Sequence, residues 1–181
     1  MFSWNVLFVD DDKFELINGH LTLVTFGKKV NMIREVKDMF IARLMSEMED
    51  AQVPIAYSSG LREVTFTRMT KDVGEYLNGV IRVSTTKEGM RNAAKILVHE
   101  LAHHVDFSED ITSDERLVRE KTKKAKFMSD GYSRKDVGEY WACGNEVFYF
   151  GDEKAKKKLR KKNPYLFKKI SLTHHKFAKM T

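Results

Sequence analysis

The chain has 181 residues, of which 42% are hydrophobic and 32% are charged, and these proportions indicate a single globular domain with a buried core. No apolar run approaches the roughly 20 residues that cross a bilayer, and the one cysteine, Cys143, excludes an internal disulfide. The formal net charge is +6, and much of the excess lies in two basic runs, residues 121–126 and 154–169.

The N-terminal residues are predicted to form β-structure. Residues 4–9 indicate a short strand, and Asn18-Gly19 between two β-branched and aromatic segments predicts a hairpin with a type I′ turn. We expect this hairpin to extend a sheet or to serve as a docking surface. The segment lacks the basic stretch of a signal peptide, so we expect a cytoplasmic protein.

The middle of the chain predicts a helix followed by strands. Residues 30–50 repeat apolar side chains at helical spacing, and we interpret their methionines as flexible core filling. Residues 62–69 and 80–86 are predicted strands, with a turn at Asn78-Gly79 before the second. This second strand leads into the next helix, so we expect an edge strand there to form the rim of a substrate cleft and to pair with an extended peptide.

The chain is organised around the run HELAH at residues 99–103, on a helix predicted from residue 90 to residue 106. Histidines four positions apart lie one helical turn apart, so His99 and His103 can reach the same point beside the helix. In this pattern the two histidines bind Zn²⁺, and the glutamate, here Glu100, acts as general base on a water molecule. The apolar residues of the helix fall on the opposite side, towards a core.

Two further residues of this helix have their own interpretations. His104 points away from the metal-binding face, and we interpret it as a packing or surface residue. Asp106 falls beside the two histidines. It either hydrogen-bonds a ligand histidine or belongs only to the end of the helix.

A catalytic zinc ion needs a third protein ligand, and no third histidine follows at close spacing, which excludes the metzincin arrangement. Residues 136–150 predict a helix with Glu139, Cys143 and Glu146 on one face. Either glutamate can reach a zinc ion held by the first helix, and the spacing does not choose between them. Cys143 could also bind the metal, although a single buried cysteine usually acts as a small hydrophobic residue.

The run HELAHHVD resembles the zinc helix of the anthrax lethal-factor-like metallopeptidases, which carry a similar His-Glu-x-x-His-x-x-Asp run. In that group and in the related clostridial Pro-Pro endopeptidases, a tyrosine precedes the zinc-binding glutamate by seven residues. Here Tyr132 precedes EYWA, which begins at Glu139. The resemblance implies Glu139 as the third zinc ligand and Tyr132 as the residue near the scissile carbonyl. The chain departs from the family at Cys143, where a second glutamate is common.

The resemblance covers roughly residues 60–170 and implies a zincin-like metallopeptidase domain. We therefore expect an α+β fold with a short mixed sheet packed on an active-site helix, followed by C-terminal helices. A single domain would span residues 1–181, with residues 1–28 as an N-terminal β-hairpin extension and residues 151–181 as a basic C-terminal helical segment.

The activity implied is that of a gluzincin-type zinc endopeptidase acting on a protein or peptide substrate. The three zinc ligands would be His99, His103 and Glu139, with Glu100 as general base and the Tyr132 hydroxyl as oxyanion donor. The lysine-rich tail also resembles phage- and mobile-element-borne relatives, which would place the protein in a host cytoplasm or a virion. One alternative is a zinc hydrolase that does not act on peptide bonds.

The basic runs leave a second alternative open. We interpret them as solvated helix faces and expect no membrane partner. We also expect no nucleic acid, because aromatic residues do not alternate with the basic ones. The alternative interpretation is an electropositive patch that attracts acidic protein, nucleic acid or a membrane. A catalytically weak or inactive protein of this fold would then dock through its basic C-terminal segment.

Overall fold

A computed structural model of the chain describes residues 6–9, 14–17, 20–23, 29–67, 69, 71–128 and 131–180, with side chains from residue 39 onward. The strands are β1 (Val6–Val9), β2 (Phe14–Ile17), β3 (His20–Leu23), β4 (Glu63–Thr67), β5 (Gly74–Leu77) and β6 (Val80–Ser84). The α-helices are α1 (Lys29–Asp50), α2 (Lys87–Arg91), α3 (Ala93–Glu109), α4 (Glu115–Lys124), α5 (Val137–Phe150), α6 (Glu153–Lys162) and α7 (Pro164–Ala178). The protein is therefore α+β, as expected.

The chain divides into two compact units. The first comprises Met1–Asp50 and Gly60–Leu97, and the second comprises Ala51–Ser59 and Val98–Thr181. In the part of the chain that the structure describes, every helix is too short or too polar to span a membrane.

The first unit contains a four-stranded mixed sheet with the order β1-β4-β6-β5. β4 pairs in parallel with both β1 and β6, and β5 pairs antiparallel with β6. Val64 and Phe66 of β4 lie beside Ile81 and Val83 of β6, and all four side chains are fully buried. Thr65, which points to the other face of β4, is also buried, as is usual for a strand between two parallel neighbours.

The prediction of an edge strand just before the motif helix is wrong, because β6 is an inner strand with a partner on each side. The edge on the side of β6 is formed by β5, a strand that the sequence pattern did not indicate. Asn78 and Gly79 have φ values of 49° and 81° and form the turn that joins β5 to β6. The Asn-Gly turn thus belongs to a hairpin whose first strand is short and half-exposed, so that its hydrophobic pattern is weak.

The predictions for the N-terminal half are largely confirmed. β1 is a strand of the main sheet, and β2 pairs antiparallel with β3 as a separate two-stranded sheet. The predicted turn at Asn18-Gly19 lies outside the described residues. In α1, Met48 is fully buried as core filling, but Met39 is 72% exposed, so that interpretation fails for Met39.

The helix predicted from residue 90 to residue 106 is two helices in the structure. Arg91 ends α2, and Asn92 has φ −109° and ψ 19° before α3 begins at Ala93. The Asn92 backbone N–H and side-chain amide both donate to the Glu88 carbonyl oxygen, at 3.1 and 3.3 Å. These hydrogen bonds close α2, and α3 begins with the Ile96 N–H donating to the Asn92 carbonyl oxygen at 2.9 Å.

The core of the second unit lies between α5 and α7. Trp141 of α5 and Leu166 and Ile170 of α7 are fully buried. Gly144 allows the two helices to approach, because a Cβ atom there would lie 2.7 Å from Leu166 Cδ2 and 3.0 Å from Ile170 Cδ1. The helix that carries Glu139 and Glu146 is thus fixed from the side opposite to those glutamates.

Asp114 links α4 to α7. Its Oδ1 accepts from the backbone N–H of Arg116 and Leu117 at the start of α4, and its Oδ2 accepts from Tyr165 Oη at 2.8 Å and Lys169 Nζ at 2.9 Å. Burial by itself raises the pKa of Asp114. The hydrogen bonds outweigh that effect and hold the pKa at about 2.

Asp114→Asn should lower the free energy of unfolding by about 1–2 kcal/mol at neutral pH, because the charged contacts with Lys169 are lost. The pKa of the carboxyl group is lower in the folded protein than the ordinary 3.8, so its stabilisation is complete above about pH 4 and disappears as the pH falls through about 2. Urea unfolding along this pH series measures the difference. Asp110→Asn, at an exposed residue whose side chain makes no capping hydrogen bond, is the matched control. A difference that stays constant down to pH 2 would contradict the assignment.

Candidate metal centre

The two motif histidines face each other on α3. His99 Nε2 and His103 Nε2 are 3.2 Å apart, and the two ring centroids are 5.0 Å apart. Two ligands held at zinc–ligand distances of about 2.0–2.1 Å in a tetrahedral arrangement lie about 3.3 Å apart. The spacing of these two nitrogens therefore matches that of two ligands of one metal ion.

Glu139 meets the same nitrogen of His99 from α5. Its Oε2 lies 3.2 Å from His99 Nε2, and the Asp136 side chain fixes the local backbone by accepting from the Glu139 N–H at 2.8 Å. Glu139 Oε2 is buried, and beyond its ion-pair contact with His99 Nε2 it completes no hydrogen bond among the residues that the structure describes. A buried carboxylate oxygen without a hydrogen bond is costly, and a cation would satisfy it. The residues present thus fit a bound metal ion.

Glu146 contacts the opposite nitrogen of the same imidazole. Its Oε1 lies 2.6 Å from His99 Nδ1. The two glutamates that share a face of α5 therefore differ in position: Glu139 lies on the Nε2 side with His103, and Glu146 lies on the Nδ1 side. A carboxylate on the second nitrogen fixes the orientation and tautomer of a ligand histidine. Glu146 thus occupies a supporting position, one that its spacing alone could not distinguish from a ligand position.

Cys143 lies among these donors. His99, Glu139 and Cys143 each offer a donor atom within 4.8 Å of the other two, and Cys143 is buried, with 2% of its surface exposed. His103 is not a member of this mutual group, although its Nε2 is close to that of His99. The sequence predicts a small buried neighbour at Cys143, and in the structure this residue also places a sulfur atom within reach of the site.

Burial and neighbouring charges act against each other at the centre. Burial lowers the pKa of His99, but contacts with Cys143, Glu139 and Glu146 outweigh burial and raise that pKa to about 12. Burial and the neighbouring charge of His99 lower the pKa of His103, and the contact with His99 lowers that of Glu139. The same groups that stabilise a proton on His99 would also favour a divalent cation bound there instead of the proton.

Two further residues lie where α3 meets α5. Trp141 Nε1 donates to the carbonyl oxygen of Ala102, inside the motif, at 2.9 Å. A Cβ atom on Gly138 would lie 3.2 Å from Asp136 Oδ1, a tight contact, and at an ordinary van der Waals distance of 3.6 Å from the His103 ring, so the glycine leaves room for the Asp136 cap. The buried tryptophan was predicted as an apolar residue of α5, but no local pattern marks the glycine.

Two residues of α3 have roles outside the metal-binding face. His104 is buried, and its Nε2 lies 2.9 Å from the carbonyl oxygen of Ser59, which confirms its packing role. The two carboxylate oxygens of Asp106 accept from the backbone N–H and the hydroxyl of Thr112, at 2.7 and 3.0 Å. Of the two interpretations of Asp106, the structure therefore favours the role at the end of the helix.

The two residues predicted to act on substrate lie at different depths. Glu100 follows His99 on α3 and is buried, with 6% of its surface exposed. Tyr132 begins a single 3₁₀ turn (Tyr132–Arg134) that precedes α5, and it is 47% exposed. Lys135 Nζ lies 3.6 Å from the centre of the Tyr132 ring. The tyrosine is thus on the surface near the start of the helix that carries Glu139, and its oxyanion role stays a prediction.

No protein-family model matches the chain, and no curated protein matches it either. The functional proposal therefore rests on the donor atoms of the centre.

Proposed function

We propose that the protein is a zinc-dependent endopeptidase of the gluzincin type with a zincin-like fold. The observation that supports this most is the position of His99 Nε2, which has His103 Nε2 and Glu139 Oε2 each at 3.2 Å. Those two contacts come from two helices, and a metal ion is the simplest group that all three atoms can share.

The chemistry of the donors favours zinc. Imidazole nitrogen, carboxylate oxygen and thiolate sulfur are the ligands that zinc takes in proteins, whereas magnesium and calcium prefer oxygen alone. His99, His103 and Glu139 would hold the ion, and Glu146 would orient His99. When bound, zinc acts as a Lewis acid that polarises a carbonyl group and lowers the pKa of water.

The chain's own residues would carry the proton transfers. Glu100, buried next to His99, would accept a proton from the attacking water and deliver it to the leaving amine. The Tyr132 hydroxyl would donate a hydrogen bond to the oxygen of the scissile carbonyl as negative charge develops. The resemblance of HELAHHVD and of the Tyr132–Glu139 spacing to lethal-factor-like and Pro-Pro endopeptidases supports these two roles.

Metal analysis followed by a cleavage assay tests the proposal. The purified protein should contain about one zinc ion per chain and should cleave members of a random peptide library at internal bonds, with cleavage lost on chelation and restored by zinc. Bound zinc without any peptide cleavage would indicate a hydrolase with another substrate or a binding protein. A protein that does not bind zinc would overturn the proposal altogether.

A further inference from the structure

The two basic runs of the sequence meet on one surface of the second unit. Asn163, which follows α6, donates from Nδ2 to the Lys124 carbonyl oxygen at the end of α4, at 3.2 Å. Phe127 lies at the junction, with Lys126 Nζ 5.4 Å and Lys162 Nζ 5.1 Å from its ring centroid. The two basic runs, separated in sequence, therefore meet on the surface around Phe127.

An apolar cavity of about 230 Å³ opens beside this junction. Its lining includes apolar side chains from α5, α6 and the segment after α4, which are Phe127, Met128, Val147, Ala155 and Leu159. The exposed lysines Lys154 and Lys158 also line it, together with Asp152 and Asn163. Asp152, the acidic residue beside these lysines, accepts a hydrogen bond from the Ala155 N–H as the N-cap of α6. The opening thus joins an apolar interior to a positive rim.

The charge on α6 is not balanced within the described part of the chain. The helix has seven basic residues and one acidic residue, and none of its basic side chains has a carboxylate within 4 Å among the residues that the structure describes. Four pairs of basic residues lie four positions apart, which destabilises a helix. These pairs are Lys154 with Lys158, Lys156 with Arg160, Lys157 with Lys161, and Lys158 with Lys162. The helix dipole favours the cations of the last turn, but it does not favour those of the first half, so an external anion would relieve the repulsion.

We propose that this surface binds an acidic segment of a partner protein, which inserts one apolar side chain into the cavity. The cavity is large enough for a leucine or phenylalanine side chain, and the lysines at its rim match flanking aspartates or glutamates. This binding goes beyond hydrolysis at the metal centre and does not depend on it.

The same features disfavour the other anionic partners. Bases of single-stranded nucleic acid bind by stacking on free aromatic rings, but the ring of Phe127 already carries two ammonium groups. A helix that inserts into a membrane surface needs an exposed apolar face. In α6 the apolar residues are Ala155 and Leu159, and Leu159 is buried, with 2% of its surface exposed. A protein segment accounts for both the charge and the cavity.

Fluorescence anisotropy with a labelled acidic peptide tests the proposal on the full chain. The probe is about twelve residues of aspartate and serine with a central leucine, and its partner probe has serine in place of leucine. We expect the leucine probe to bind more tightly, and the double variant Lys154→Glu/Lys158→Glu to weaken it about tenfold at about 0.15 M salt. The matched control Lys87→Glu/Lys179→Glu makes the same charge change at exposed residues that do not line the cavity, and it should change binding less than about twofold.

A variant that fills the cavity tests the contribution of the cavity to binding separately from that of charge. Ala155→Leu should remove the advantage of the leucine probe over the serine probe, while both still bind through charge. Equal weakening by the two double variants would overturn the proposal, because binding would then follow net charge alone. Tighter binding of single-stranded RNA or of anionic lipid vesicles than of the leucine probe, with the same sensitivity to Lys154 and Lys158, would also overturn it.

Discussion

Replacing Glu100 with glutamine should lower the rate of peptide cleavage by a factor of about 10²–10⁴ and leave the zinc content unchanged. The side chain is buried next to His99, and glutamine has the same size, so the fold and the metal ligands should be retained. An amide cannot accept the proton of the attacking water. Steady-state cleavage rates and elemental analysis of the same preparation measure both quantities.

The control for this variant is Glu109→Gln, at the exposed end of the same helix. It removes one negative charge from α3 without touching the motif, and cleavage should continue at close to the wild-type rate. Wild-type turnover in Glu100→Gln would show that Glu100 is not the general base. Loss of zinc in that variant would mean that the glutamate supports the metal rather than the proton transfer.

The second large effect is expected when the two glutamates of α5 are compared. Glu139→Gln should weaken zinc binding roughly 10³-fold, because it removes a charged ligand. Glu146→Gln should weaken it about 10–100-fold, as is usual for a group that only orients a ligand. Both side chains contact the imidazole of His99 and both are 19% exposed, so they form a matched pair. Competition with a coloured zinc chelator measures the two dissociation constants.

The order of the two effects decides the assignment. If Glu146→Gln removes zinc and Glu139→Gln retains it, the ion lies on the Nδ1 side of His99, and the ligand assignment is reversed. If neither substitution changes zinc affinity, neither glutamate is a ligand and the proposed ligand set is wrong. A third variant, Cys143→Ser, separates a sulfur ligand from a packing residue, since cobalt bound to a thiolate absorbs in the near ultraviolet and cobalt bound to serine does not.

The local pattern of the sequence was enough to predict most of the elements. Helical spacing indicated α1 and the motif helix, and the Asn78-Gly79 pair marked a turn that the structure contains. The common face of Glu139, Cys143 and Glu146 follows from their spacing on one helix, and all three contact or approach His99. These features depend on residues within one or two turns of each other.

What could not be predicted depends on contacts between distant segments. The spacing of Glu139 and Glu146 says which face they share, but only the packing of α5 on α3 decides which nitrogen each one meets. That packing includes the contact of Trp141 with Ala102, 39 positions earlier. Likewise, the two basic runs were interpreted separately, because nothing in either run indicates that both lie beside Phe127.

The contact of one helix with both nitrogens of His99 has a consequence for the speed of metal capture. The imidazole cannot turn about its Cβ–Cγ bond without breaking its contacts with Glu139 and Glu146 together. Ordering a side chain costs on the order of 1 kcal/mol, and here that entropy is lost when the helices fold rather than when an ion arrives. The ring is preorganised, so the association rate should follow the rate at which an ion sheds its water molecules.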